Sequence, residues 1–140
     1  MSLKRFTVRD WVYIAIFGAL WGVLEMTLGA YMHVIFPALA DTFFVGLIMA
    51  GLGGVVALVG RTFVPRPGAV ICIGLIAAIL KIFSLGGVVI GALVAILAEA
   101  LLMEAALLGR REPARGRYML AGALAVSWNF IDKFIMMRLL

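Results

Sequence analysis

Five long apolar stretches dominate the sequence and restrict what the chain can fold into. They lie at about residues 11–28, 42–60, 68–85, 87–108 and 117–138. A helix needs roughly 20 apolar residues to cross the hydrocarbon core of a bilayer. The stretches show no alternation of apolar and polar residues, and backbone groups in lipid must pair within their own element, so helices are expected and a barrel is not. The sequence therefore predicts an all-α, polytopic membrane bundle of about five transmembrane helices.

Composition and organisation fit one membrane domain. Hydrophobic residues make up 66% of the chain and charged residues 14%, which lies outside the range of water-soluble domains. No repeat, low-complexity tract or long linker divides the sequence, so we expect residues 1–140 to form a single transmembrane domain. The first stretch lacks a small-residue cleavage site and is not expected to be a removable signal peptide.

The positive charges predict the orientation of the bundle. Lys and Arg cluster in three places, at residues 4–9, 61–66 and 110–117. The connections at 29–41 and 85–87 contain neither residue type. The positive-inside rule then places the amino terminus in the cytoplasm. The net charge of +5 is explained by this topology and by attraction to anionic membrane lipid, and nucleic acid is not an expected partner.

Ionisable side chains within the apolar stretches are the first candidates for a functional site. Each costs roughly 2.5–3.5 kcal/mol to insert at membrane depth, so each needs a reason to be there. The topology places four polar side chains at one depth in the outer half of the membrane: Glu25, Lys81, Asn129 and Asp132. This combination predicts a small-molecule pocket that opens to the outside.

Further residues are expected to complete that pocket. Tyr31 and His33, in the predicted outer loop, would close over it, and Trp128, together with Trp21, would supply flat apolar walls. Glu99 lies deeper and is interpreted as the pocket floor or a proton-linked switch. A neutral carboxylic acid bonded to a neighbouring helix explains Glu99 equally well.

Structural interpretations of the same residues stay open at this point. Lys81 could pair with Glu25 or with Asp132 only to hold the bundle together, although Glu25 could also meet a cationic or amine-bearing ligand. Glu104 is expected to pair with Arg110 or Arg111 at the cytoplasmic edge. Lys133 and Arg138 are expected to extend toward the head groups, and His33 could be an ordinary surface residue.

Small residues at helical spacing mark possible contact faces on the first helix. Ala15 and Ala19 form one face, and Gly18 and Gly22 form a neighbouring one. Such faces allow close approach of membrane helices. They could pack within the bundle or dock another membrane subunit.

The sequence contains none of the catalytic motifs that would indicate an enzyme. The chain contains no HExxH, no GxSxG and no phosphate-binding glycine loop. We therefore expect no catalytic residue, no metal ligand and no cofactor, and the chain is not expected to be an enzyme.

The order of these features resembles a family, the substrate-binding S components of energy-coupling factor (ECF) vitamin transporters. The resemblance rests on "RDWVYIAIFGALWGVLE", on the "RPGA" turn followed by a span that ends in Gly-Gly, and on the "AEAL" helix. The likeness is strongest to S components of the hydroxymethylpyrimidine/thiamine kind.

The resemblance implies a transport subunit in a prokaryotic cell membrane. Ala15 and Ala19 would dock onto a transmembrane coupling protein that carries two cytoplasmic ATPases, and the ligand would be a vitamin or vitamin precursor captured from outside. S components usually have six helices, so the fold would lack or shorten the last one. The alternatives are a structural or assembly subunit of a larger membrane complex without a ligand of its own and, third, a small channel or ion-coupled carrier.

Overall fold

The computed structural model describes residues 6–35, 43–83, 89–107 and 114–139. These residues form five α-helices: α1 (Val8–Ile35), α2 (Phe43–Phe63), α3 (Ala69–Ile82), α4 (Val89–Leu107) and α5 (Arg115–Leu139). No strand occurs in this part of the chain. The prediction of an all-α bundle is confirmed.

Four of the helices are long and apolar enough to cross a membrane, namely α1, α2, α4 and α5. Their outer faces carry apolar side chains such as Ile16 and Val55, which are 55% and 62% exposed. Soluble monomers rarely expose extended apolar surface, whereas lipid tails accommodate it. The chain is therefore a membrane protein. The third helix has 14 residues and spans about 21 Å, less than the roughly 30 Å hydrocarbon core, so length and composition support four of the five predicted spans.

The first helix is longer than the sequence suggested. It has 28 residues and continues to Ile35, so Tyr31 and His33 lie on a helix and the prediction of a loop beginning at residue 29 is wrong. No proline or charged residue interrupts residues 29–35, and Pro37 is the first helix-breaking residue after them. The remainder of that predicted loop, and the predicted turn at 85–87, lie outside the described residues.

A short turn that contains two prolines joins α2 to α3. The second helix ends at Phe63, the third begins at Ala69, and Pro65 and Pro67 lie between them. Gly68 has a φ of 89°, a left-handed conformation that glycine adopts without a steric penalty. The "VPRPG" sequence therefore reverses the chain in a short connection.

Helix contacts define two ends of the bundle. Helix α1 packs on α2 and α3, α4 packs on α3 and α5, and α2 touches all four other helices. Because successive helices run in opposite directions, the ends of α1, α3 and α5 and the starts of α2 and α4 lie together. We call this the Lys81 end, and the opposite one, which holds the 64–68 turn, the Arg66 end.

Glycines allow α1 and α3 to approach closely. A Cβ added at Gly18 would lie 2.7 Å from Ile76 Cβ, and one at Gly22 would lie 2.7 Å from Leu80 Cδ1. Both glycines are buried. Close backbone contact replaces the hydrophobic driving force that is missing between helices in lipid.

Candidate ligand-binding cavity

A cavity of about 240 Å³ lies at the Lys81 end, with residues from all five helices in its walls. Five of the predicted site residues line it: Glu25, Lys81, Glu99, Asn129 and Asp132. The volume is slightly below the roughly 300–1,000 Å³ of pockets for drug-sized ligands, so the space suits a smaller molecule.

Glu25 and Lys81 join α1 to α3 at this cavity. Lys81 Nζ lies 4.0 Å from Glu25 Oε2 and donates a hydrogen bond of 3.2 Å to the backbone carbonyl of Glu25. The Lys81 and Glu25 side chains are 16% and 11% exposed, so the pair is largely shielded from solvent. Gly29, one turn after Glu25, lies beside the ammonium group, since an added Cβ there would be in ordinary van der Waals contact with Nζ at 3.9 Å.

Glu99 and Asn129 join α4 to α5 at the same cavity. Asn129 Nδ2 donates to Glu99 Oε1 at 3.4 Å, and Glu99 is 4% exposed. Gly46 on α2 makes space for this amide, because a Cβ at position 46 would lie 2.7 Å from Asn129 Oδ1. Contacts from α2 and α4 therefore both fix the position of Asn129 on α5.

Asp132 and Lys133 line the cavity one turn beyond Asn129 on α5. Asp132 is half-buried and Lys133 is exposed. The sequence assigned Lys133 to the head-group region. It is exposed as expected, but it also belongs to the cavity wall, which places this wall at the protein surface.

Apolar and small residues supply the rest of the wall, and sequence reasoning missed them. They come from α2 and α4: Val45, Gly46, Met49, Ala50, Gly91, Ala92, Ala95 and Ile96. Helical spacing is the sequence signal that could have indicated these residues. The members of each pair share a helix face because they are four residues apart: 45/49 and 46/50 on α2, and 91/95 and 92/96 on α4. Because both helices are apolar on all sides, that spacing does not single out one face.

Three residues that were expected in the pocket do not line this cavity: Tyr31, Trp128 and Trp21. Tyr31 is 64% exposed on α1 and is absent from the wall, as is Trp128 on α5. Trp128 is half-buried, and its Nε1 atom has no hydrogen-bond partner within the described chain. The side chain of His33 lies outside the described residues. Trp21, the other expected wall, is fully buried against Gly53 and Gly74 in the interior and does not line the cavity.

The four residues predicted to dock a partner separate into two groups. Gly18 and Gly22 face α3 and are covered by an internal contact. Ala15 is exposed and Ala19 is half-buried. An external partner could reach the alanine face, whereas the glycine face serves the bundle itself.

The Arg66 end holds the polar groups that fix the helix starts. Glu104 accepts the backbone N–H groups of Gly68 and Val70 at 2.8 and 3.1 Å, so it caps α3. The expected partners Arg110 and Arg111 lie outside the described residues. Asp10 pairs with Arg66 Nε at 2.8 Å and accepts the N–H of Thr7, which completes a capping box on α1.

The described residues contain no group of three His, Cys, Asp or Glu side chains that could hold a metal ion. Comparison with protein-family models, curated proteins and solved structures finds no match to this chain. The function is therefore inferred from the cavity and from the sequence.

Proposed function

We propose that this chain is the substrate-binding subunit of an ECF-type importer for a vitamin or vitamin precursor. One observation carries the proposal. Polar residues that the sequence scatters over α1, α3, α4 and α5 line a single cavity at one end of a membrane bundle. The wall combines six charged or polar residues with nine apolar or small ones, and placed polar groups beside apolar surface are what a small-molecule site requires.

The proposed orientation places the Lys81 end on the outer side of a prokaryotic cell membrane. Arg9, Arg61, Arg66, Arg115 and Arg117 all belong to the Arg66 end, where the positive-inside rule expects the cytoplasm. The ligand would then enter from outside. The resemblance to S components supplies the importer class.

Coupling to ATP hydrolysis would occur through α1. Ala15 is exposed and its small side chain allows a partner helix to approach, so Ala15 and the accessible part of Ala19 would dock onto a transmembrane coupling protein. The resemblance to S components implies that this coupling protein carries two cytoplasmic ATPases.

A structural or assembly subunit is the second candidate. The Glu25–Lys81 and Glu99–Asn129 contacts each connect two helices, and contacts of this kind also serve a bundle that has no ligand. The two functions predict different molecules that co-purify with the chain. A binding subunit carries a small molecule, and an assembly subunit carries only fixed protein partners.

The docking test uses purification of the tagged chain from native membranes in mild detergent. We expect a coupling protein and two ATPases to isolate with the unmodified chain and to be lost from Ala15→Trp. The matched control is Leu20→Trp, because Leu20 is 47% exposed and lies about 140° from Ala15 around the axis of α1. Absence of any ATPase from the unmodified preparation would contradict the importer, and equal loss in both variants would remove the specific role of Ala15.

A further inference from the structure

The charges in the cavity wall are unbalanced. Three carboxylates, those of Glu25, Glu99 and Asp132, face the cavity together with two ammonium groups, those of Lys81 and Lys133. Lys81 is already engaged, because it contacts both the carboxylate and the carbonyl of Glu25. Glu99 on α4 and Asp132 on α5 are therefore not paired with Lys81.

Glu99 is the more deeply buried of these two carboxylates. It is 4% exposed, and its one hydrogen bond within the described chain comes from the neutral Asn129 amide at 3.4 Å on Oε1. No described group donates to Oε2. A carboxylate is costly to bury without a cation or a full set of donors, so the cavity without a ligand favours the neutral acid at Glu99, and a ligand cation beside Glu99 would stabilise its ionised form.

Lys133 does not fill that position. It is exposed, and it forms no ion pair with a described residue. It also follows Asp132 directly on α5, and successive helical residues do not face each other. Glu99 and Asp132 both line the cavity, so one ligand cation inside it can approach both.

We infer that the ligand of this cavity is a small organic cation whose protonated amine is held between Glu99 and Asp132. Its apolar body would lie against Val45, Met49 and Ile96, which line the same space. The inference rests on the proposed function and adds the charge class of the substrate. Glu25, for which the sequence left Lys81 and a cationic ligand as alternative partners, is assigned to Lys81.

Three ring compounds of matched size test the charge class: benzylamine, benzyl alcohol and benzoate. Isothermal titration of the full chain in nanodiscs, with empty nanodiscs as a blank, gives the affinity of each. We expect benzylamine to bind at least about tenfold more tightly than benzyl alcohol, and benzoate to bind most weakly. Glu99→Gln should remove the preference for benzylamine over benzyl alcohol.

Asp10→Asn is the control, because it removes one carboxylate from the opposite end of the same bundle and should keep the preference. Tighter or equal binding of benzyl alcohol or benzoate overturns the cation inference and leaves the binding function standing. An unchanged preference in Glu99→Gln also overturns it, since the amine then lies elsewhere. If none of the three compounds binds, the cation inference is contradicted, and native mass spectrometry of the purified chain decides the ligand-binding function separately.

Discussion

Glu104 on α4 accepts the backbone N–H of Gly68 at 2.8 Å, although 36 residues separate the two in the chain. Its second carboxylate oxygen accepts the N–H of Val70 at 3.1 Å. Gly68 has no side chain to cap α3, and the two prolines before it exclude a preceding helical turn. A carboxylate from another helix therefore satisfies the first donors of α3 and, through its charge, interacts favourably with the positive end of the helix dipole.

Replacing Glu104 should destabilise the bundle at this point. We expect Glu104→Gln to lower the free energy of unfolding by about 1–3 kcal/mol, because the amide offers one acceptor for two backbone donors. Equilibrium unfolding in mixed micelles measures the difference. Ser127→Ala is the control, since Ser127 is exposed and donates to its own helix. An unchanged stability in Glu104→Gln would show that the cap is dispensable.

Gly53 should not tolerate a side chain, because the Trp21 ring occupies the space that a Cβ at residue 53 would need. A Cβ at residue 53 would lie 2.5 Å from Trp21 Cε2, and Trp21 is fully buried. We expect Gly53→Ala to cost about 1–3 kcal/mol in the same unfolding assay. Gly51→Ala on the same helix meets nothing within 4 Å and should be neutral or stabilising by up to about 1 kcal/mol. Equal effects at both positions would contradict this packing.

Lys81 should stabilise the bundle mainly by neutralising Glu25. Lys81→Met leaves the Glu25 carboxylate largely buried without a cation, and we expect a loss of about 1–3 kcal/mol in the free energy of unfolding. The double variant Lys81→Met/Glu25→Gln removes the stranded charge and should recover part of that loss. Lys133→Met, which removes an exposed amine with no ion pair to a described residue, is the control. If the double variant is no more stable than Lys81→Met, the two side chains are not coupled.

Position along each helix was predictable from the sequence, but direction around each helix was not. The positions of the apolar stretches fix how far along a helix a residue lies, and Glu25, Lys81 and Asp132, which the sequence grouped together, line one cavity. Asn129 and Trp128 are adjacent, yet only Asn129 lines the cavity. The helices are apolar on most sides, so hydrophobic periodicity does not distinguish a face toward lipid from a face toward another helix.

The same limitation applies to the small residues of α1. Ala15 and Gly18 are three positions apart in a similar pattern, but Gly18 packs on Ile76 and Ala15 is exposed. The cap from Glu104 was missed for a different reason. Its acceptor and donors come from distant parts of the chain, and spacing rules describe only caps supplied by nearby residues.

Filling the cavity and looking for the ligand is the most direct test of the central claim. Gly91 lines the cavity, and a Cβ added there meets nothing within 4 Å, so Gly91→Leu should fill the space without disturbing the fold. Gly51→Leu is the matched control, because it adds the same side chain to open space away from the cavity wall. Native mass spectrometry of the chain purified in mild detergent then reports any bound small molecule. We expect a vitamin-sized adduct on the unmodified chain and on Gly51→Leu, and a bare chain for Gly91→Leu. An unmodified chain that carries no adduct, or an adduct that survives in Gly91→Leu, would contradict ligand binding at this cavity.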